Sequence, residues 1–386
     1  MSDVQFLFAI LGGLYAWECA CWINRGGVFF SNWIGRSWRV QHPATMLGNQ
    51  RGGFVLAAPI PPLGAVLTAN QFPFSLSPDG VLVFVSPNVN PGWRPTQSGR
   101  FLTWEEAGHL RVEGKKFLLQ KEKILSASTV TRANHLLQSL AAISKLTREH
   151  REVAIKNLLR GGLDTKQIKA LHQDFDQQVR PIRFLANALF VLVFVIAPLL
   201  IGFIGLKLVW LGLLVALLGL SITTATLFCR LHRKFYPAAS DERFTQTLIL
   251  AMAPATTMRA HDIASRPLLE NFHPLAVAHH LLDADSFRRF ARHLLLDLRN
   301  PAPPAFPSAS PQTIATELFY RRLLLEVAEA WLAERKLPAA ELCRPPTPAD
   351  ETCHAFCPRC EAQFTSAAGE CSDCGGLALV AFRKPS

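Results

Sequence analysis

Residues 184–229 read FLANALFVLVFVIAPLLIGFIGLKLVWLGLLVALLGLSITTATLFC, with one charge, Lys207, near the middle of the run. As helix, these 46 residues measure about 69 Å, roughly twice the ~30 Å hydrocarbon core of a bilayer. Two membrane-spanning helices folded into a hairpin account for that length. A buried hairpin in a soluble domain is the other reading. Lipid offers no partner to backbone N–H and C=O groups, so a run in the bilayer must be helical. Arg180 and Arg183 precede it, and Arg230, Arg233 and Lys234 follow it. Basic residues at both outer ends place both ends in the cytoplasm.

Working outward, residues 4–23 (VQFLFAILGGLYAWECACWI) suffice for one more span. No Lys or Arg precedes them, and Arg25, Arg36 and Arg39 follow. The positive n-region and small-residue cleavage site of a signal peptide are missing, which predicts an uncleaved anchor with its N-terminus outside. Glu18 within it is a functional candidate, because carboxylates in spans are costly. Its place near the cytoplasmic end also lets it reach toward water and Arg25.

The fold class read from the chain is therefore a multi-domain α+β integral membrane protein. It has three transmembrane helices, a small antiparallel β-module with a helix, a helical region and a C-terminal metal-binding module. Its divisions are 1–23 (anchor), 24–52 (interfacial connector), 53–160 (β-module plus helix), 161–183 (helix entering the membrane) and 184–229 (hairpin). After these come 230–300 (helical), 301–350 (Pro-rich linkers around an amphipathic helix) and 351–386 (metal module). The hydrophobic fraction of 49% fits a chain that is part membrane and part soluble. The net charge of +11 is uneven: residues 24–183 hold 21 Lys+Arg against 10 Asp+Glu, and residues 230–386 hold 18 against 17. A basic face beside a bilayer attracts anionic lipid headgroups. Nucleic acid is the weaker expectation, since no stripe of interleaved basic and aromatic residues occurs.

Within 53–160, Pro59, Pro61 and Pro62 exclude a span over 53–69, where short strands or a re-entrant loop fit. SPDG at 77–80 is turn chemistry ahead of the strand VLVFV, and EGKK at 113–116 reads as a hairpin turn. The FLTW segment ending at Trp104 reads as strand. Residues 129–160 show helical spacing, with Leu136, Leu140, Ile143 and Leu146 on one face. Gly161-Gly162 ends that helix and Asp164 caps the next. The FLTW strand, the HLRVEGKKFLLQ hairpin and this helix together resemble the bacterial PH-like domain. That likeness implies a lipid-proximal or protein-binding module and no catalytic residue.

Beyond the hairpin, Pro254, Pro267 and Pro274 cut 240–300 into short helices, with Ser240 or Asp241 and Asp283 or Asp285 as caps. PAPPAFPSASP at 301–311 is a semi-rigid spacer, and 312–335 is one amphipathic helix.

Nine cysteines are present. Cys19, Cys21 and Cys229 fall in apolar helices and read as packing. Cys357-Pro-Arg-Cys360, ten further residues and Cys371-Ser-Asp-Cys374-Gly-Gly form a double CxxC. Each CxxC turn offers two thiolates to one ion, and four close the tetrahedral shell that Zn²⁺ favours. A disulfide pair or an iron site uses the same residues. With all four positions filled the metal is structural, and thiolates awaiting metal require a reducing compartment. About thirty residues cannot bury a sufficient core, so the ion supplies the missing stability. Residues 353–383 resemble the zinc-ribbon family, which implies protein or nucleic-acid binding. The acidic EAQFTSAAGE between the knuckles departs from the basic residues usual there, which lowers the nucleic-acid expectation. Cys343, Cys353 and His354 stand nearby as spectators.

His261-Asp262, His273, His279-His280 and His293 are a second candidate group, with no HExxH-type spacing. They read as capping and interfacial residues, with His273 and His280 about two turns apart on a similar face. No phosphate-binding glycine loop, GxSxG or kinase signature occurs. The function expected is a non-enzymatic, membrane-anchored adaptor or regulator at the inner membrane, with its C-terminus cytoplasmic. Its soluble modules recruit a protein partner. The alternatives are a membrane enzyme or transporter subunit using Glu18 and His261–His293, and a membrane-tethered nucleic-acid-binding protein.

Overall fold

The computed structural model describes residues 3–22, 27–32, 38–41, 54–56, 66–70, 73–85, 98–300 and 310–382. Arg25, Pro59, Pro61, Pro62 and most of the 301–311 spacer lie outside them. The structure is mixed α+β, mostly helical, with several small sheets.

Helix α1 (Asp3–Cys19) opens the chain. Eleven short strands follow: β1 (Ala20–Trp22), β2 (Gly27–Asn32), β3 (Trp38–Gln41), β4 (Phe54–Leu56), β5 (Val66–Asn70), β6 (Phe74–Leu76), β7 (Gly80–Val85), β8 (Ser98–Thr103), β9 (Arg111–Glu113), β10 (Lys116–Leu119) and β11 (Glu122–Ser126). All pairings are antiparallel: β1 with β4, and three three-stranded sheets ordered β3-β2-β5, β6-β7-β8 and β11-β10-β9. The sheet β3-β2-β5 joins the expected 24–52 connector to the 53–160 module, because β2 pairs with β5 from Gly27↔Asn70 to Ser31↔Val66.

Two local expectations inside this region are corrected. The FLTW segment leaves the strand at Thr103, and Trp104–Gly108 is helix α2. Thr103 Oγ1 accepts from Glu106 N at 3.2 Å while Glu106 Oε2 accepts from Thr103 N at 2.9 Å. This capping box outweighs the strand preference of Trp104. The indole then donates to Ser77 O at 2.9 Å, and Arg151 lies 5.4 Å from its ring centre. The single helix expected over 129–160 is two, α3 (Val130–Ser144) and α4 (Arg148–Gly161). Leu136, Leu140 and Ile143 are buried as the spacing requires, whereas Leu146 sits in the break and is 36% exposed.

Helix α5 (Thr165–Val191) is capped by Asp164, whose side chain accepts from Lys166 N and Gln167 N. It passes through one π turn (192–196) into α6 (Ala197–Ile204) without a break, giving 40 helical residues. Pro198 stands at the start of α6. A proline ring collides with the carbonyl four residues back, and a widened turn there relieves the collision. Gly205, at φ 88°, reverses the chain into α7 (Leu206–Phe235). Lys207, the one charge in the run, is therefore at the exposed tip. Two helices are long and apolar enough to cross a membrane, and only 22% of each apolar window is buried. The apolar part of α1, Phe8–Cys19, is shorter than that requirement. Tyr15 of α1 nonetheless packs between Phe190 and Phe194, at ring distances of 5.4 and 5.5 Å. With Cys19, Leu189, Val193 and Met258 they form a small core beside the hairpin.

The remaining helices are α8 (Ser240–Met252), α9 (Pro254–Thr257), α10 (Ala260–Ser265), α11 (Pro274–Leu281), α12 (Ala284–Arg299), α13 (Pro311–Ala333) and α14 (Ala339–Leu342). Asp283 caps α12 through Asp285 N at 3.1 Å and Ser286 N at 2.9 Å. Ser240 does not cap α8. It is already helical, Ala239 holds the cap position, and no side chain bonds there. Helix α13 lies across β6, β7 and β8, and it supplies Tyr320, Leu323, Leu324 and Val327 to the main core. That core is continuous from Val28 to Ala339. Sheets of three short strands cannot enclose a core by themselves, so they share one with the helices. The C-terminal module holds β12 (Ala355–Phe356), β13 (Gln363–Phe364), β14 (Glu370–Cys371), β15 (Leu377–Ala378) and β16 (Val380–Ala381), paired as β13-β12-β16 and β14-β15.

Candidate metal centre

The first CxxC follows β12, the second begins on the last residue of β14, and each closes on a turn. Glu361 N donates back to Cys357 O at 2.9 Å, and Gly376 N to Cys371 O at 2.9 Å. Gly375 at φ 74° and Gly376 at φ 86° occupy left-handed backbone that a side chain would strain. The ligand atoms of Cys357, Cys360, Cys371 and Cys374 all lie within 4.8 Å of one another. Cys360 Sγ and Cys371 Sγ are 3.7 Å apart, and all four thiols are free. A tetrahedron with metal–sulfur bonds of 2.3 Å has edges of about 3.8 Å, whereas a disulfide is about 2.05 Å long. The cluster thus has the spacing of a tetrathiolate metal site. Burial pushes the Cys360 thiol up to about 11 and Cys374 higher still. At Cys357 burial also raises, but hydrogen bonds from the N–H groups of Cys360 and Arg359 and from the Cys360 and Cys374 side chains together outweigh it and hold the thiol below the usual range. A bound cation favours the thiolate at every position. Cys343, Cys353 and His354 lie outside the group; Cys343 packs against the main core.

What the sequence did not reveal is how this module is held. Its first knuckle grips α12. Arg359 pairs with Asp297, and Asn300 Nδ2 donates to Pro358 O at 3.0 Å. Glu361 takes Arg292 Nε on both oxygens, at 2.9 and 3.1 Å. Arg292 also donates to Leu342 O at 2.5 Å and Arg344 O at 2.6 Å, so one guanidinium fastens the chain entering the module and the module itself. Arg in a predicted helix and Glu after a CxxC are unremarkable one by one, and only their meeting gives them a role.

The structure disperses the histidines. His261 is buried beside Asp262, with Nδ1 3.8 Å from Oδ1. His273 caps α11, its Nδ1 accepting from Leu275 N at 3.2 Å. His279 stands edge-on to Phe287 and Trp331. His280 Nε2 meets His172 Nδ1 at 3.0 Å. His293 is exposed. No three of them form a metal-holding group among the described residues. Burial lowers His273 from 6.5 to about 4. The unfolded chain therefore binds the extra proton first, and stability falls as pH drops from about 6.5 toward 4. At the acid end the loss is about 3 kcal/mol. Urea melts across that range check it, with His273→Gln expected to flatten the slope.

Glu18 accepts a hydrogen bond from Thr256 Oγ1 at 2.9 Å. Close by, Arg259 pairs with Asp262 and donates to Tyr15 OH at 3.2 Å. Polar side chains thus tie α1 to the 254–262 segment. No family model, curated protein or solved structure matches this chain.

Proposed function

We propose that this protein is a membrane-anchored adaptor whose soluble modules recruit a protein partner on the cytoplasmic side. The observation that carries the reading is the hairpin's exposed apolar flank. Val195, Leu199 and Phe203 on one arm, and Leu211, Val215 and Ile222 on the other, are each at least 47% exposed. Water would not tolerate such a surface, and lipid requires it. Lys207 at the tip and Arg230, Arg233 and Lys234 at the base bracket it with charge. Helix α8 adds an exposed stripe, Phe244, Leu248 and Met252, alongside the base of α7, as an interfacial helix would. On this reading α1 is a third, short span packed on the hairpin, with its N-terminus outside. The basic 24–183 segment faces anionic headgroups.

The four cysteines hold Zn²⁺, which suits a closed shell of thiolates and leaves no position for catalysis. The metal module's face toward α12 is occupied, so its partner surface is the opposite one, where residues 365–370 and Val380 are exposed. Glu18 and Thr256 join elements in this scheme and do no chemistry.

The test is fractionation with topology mapping. The chain should stay in the membrane pellet through a high-salt wash and require detergent. A cysteine placed at Lys207 should label from outside the cell, and one at Ser386 only after lysis. Recovery from cytosol without detergent, or outside labelling at 386, would end the proposal.

A further inference from the structure

The four sulfur ligands of the metal centre are not equivalent. Cys357, Cys371 and Cys374 are buried, whereas Cys360 is exposed. Cys360 also closes the knuckle that grips α12. Glu361, whose carboxylate Arg292 clasps, comes directly after it. Cys371 Sγ, from the other knuckle, lies 3.7 Å from Cys360 Sγ.

Cysteine oxidation follows thiolate character and access, and it is reversible where a second thiol stands close enough to resolve the first product. A cysteine that ligates a metal is held as the thiolate, so all four meet the first condition. Access is what Cys360 adds, and Cys371 stands in the place of the resolving thiol.

We propose that Cys360 is a peroxide-sensitive site, oxidised first and then bridged to Cys371, and that this modification releases the metal module from α12. It rests on the reading of the four cysteines as a Zn²⁺ centre. First, the Cys360 thiolate attacks one oxygen of hydrogen peroxide. Its sulfur gives up an electron pair, the O–O bond breaks, hydroxide leaves and a sulfenic acid remains. Next, the Cys371 thiolate attacks that sulfur. The S–S bond forms, the S–O bond breaks and a second hydroxide leaves. Solvent protons turn both hydroxides into water, and peroxide has been reduced by two electrons. Cys357 and Cys374 are then two ligands where a structural site needs four, and each takes up a proton as the ion is lost. Drawing Cys360 toward Cys371 shifts Glu361, which is held at φ 60°, and so loosens the Arg292 clasp. An adaptor built this way sheds its docking module under oxidant.

The experiment treats the zinc-loaded full chain in detergent with hydrogen peroxide. Zinc release is followed with a colorimetric indicator, and cysteine chemistry by peptide mass mapping. Bound zinc is expected before peroxide and free zinc after it. A brief pulse in the presence of dimedone should tag Cys360 ahead of the other three. Completed oxidation should give the Cys360–Cys371 cross-link and speed amide exchange over 355–382. Dithiothreitol with zinc should reverse both. None of these readouts needs a variant to fold. Cys360→His keeps a fourth ligand and should slow release by about tenfold or more. Cys374→His, the same exchange at a buried position, should leave the rate unchanged. Zinc absent at the outset sinks the metal reading itself, and this inference with it. With zinc present, four results overturn this inference alone: zinc retained under peroxide, a buried cysteine tagged first, a cross-link within one CxxC, or a Cys360→His that releases as fast as the unaltered protein.

Discussion

Chelating the metal from the tetracysteine centre is expected to unfold residues 353–382 and to release them from helix α12, leaving the rest of the chain folded. The main buried cluster of the module is Cys357, Cys371 and Cys374, with Phe364, Leu377 and Leu379 packed around them, and beside it Ala355 and Phe356 are buried, Phe356 against Phe382. The ligands thus make up most of the core, and one aromatic pair is too little to hold the module after their loss. For small metal-folded modules the binding energy is about 10–16 kcal/mol and is folding energy. The first knuckle also sets Glu361 in a left-handed conformation at φ 60°, from which its carboxylate reaches Arg292. A non-glycine residue holds that conformation only while its surroundings enforce it. Hydrogen exchange with and without a strong chelator checks the expectation. Amides of 355–382 should lose protection, those of α12 should lose some, and those of α4 should not change. Cys357→Ser should reproduce the pattern, while Arg292→Ala, which removes the clasp on Glu361, Leu342 O and Arg344 O, should undock the module yet keep the metal. Full protection in the chelated protein would mean that the thiols close the fold by themselves.

Two features were legible in the sequence because each concentrates its signal. A 46-residue run with one charge admits few structures, and Lys207 falls at the turn because a hairpin needs its charge at the tip. Likewise CxxC spacing specifies four ligands with no knowledge of the remaining chain. The helix caps Asp164 and Asp283 were readable for the same local reason, and the T-x-x-E box at Thr103–Glu106 was there to be read ahead of the strand propensity of Trp104. What stayed hidden depends on residues far apart in sequence. Arg292 with Glu361, Asp297 with Arg359, and Ser128 with Glu270 are separated by 69, 62 and 142 positions. No periodicity marks such pairs. The shared core is hidden in the same way, since β6 gives no sign that α13 will cover it.

Asp262→Ala is expected to destabilise the protein by about 3–5 kcal/mol, well beyond the loss of one ordinary contact. Arg259 is 1% exposed and Asp262 2%, and the two form an ion pair in the segment that joins the end of α8 to the hairpin. The guanidinium also donates to Tyr15 OH and lies 5.9 Å from that ring's centre, which binds α1 to this point. Removing the carboxylate leaves a full positive charge in a nearly dry site, and Tyr15 supplies a dipole where a counter-charge is required. The cost lies in the stranded charge and not in the lost pair, because replacing both members of a buried ion pair by apolar residues is often neutral or stabilising. Arg259→Met combined with Asp262→Leu should therefore recover most of what Asp262→Ala loses. Tyr15→Phe, which removes one hydrogen bond, should cost about 1 kcal/mol. Equilibrium unfolding in detergent for the three variants decides it. If the double replacement falls as far as the single one, the pair itself holds α1 to the hairpin. Recovery shows instead that apolar packing does so, with the charges retained for a purpose other than stability.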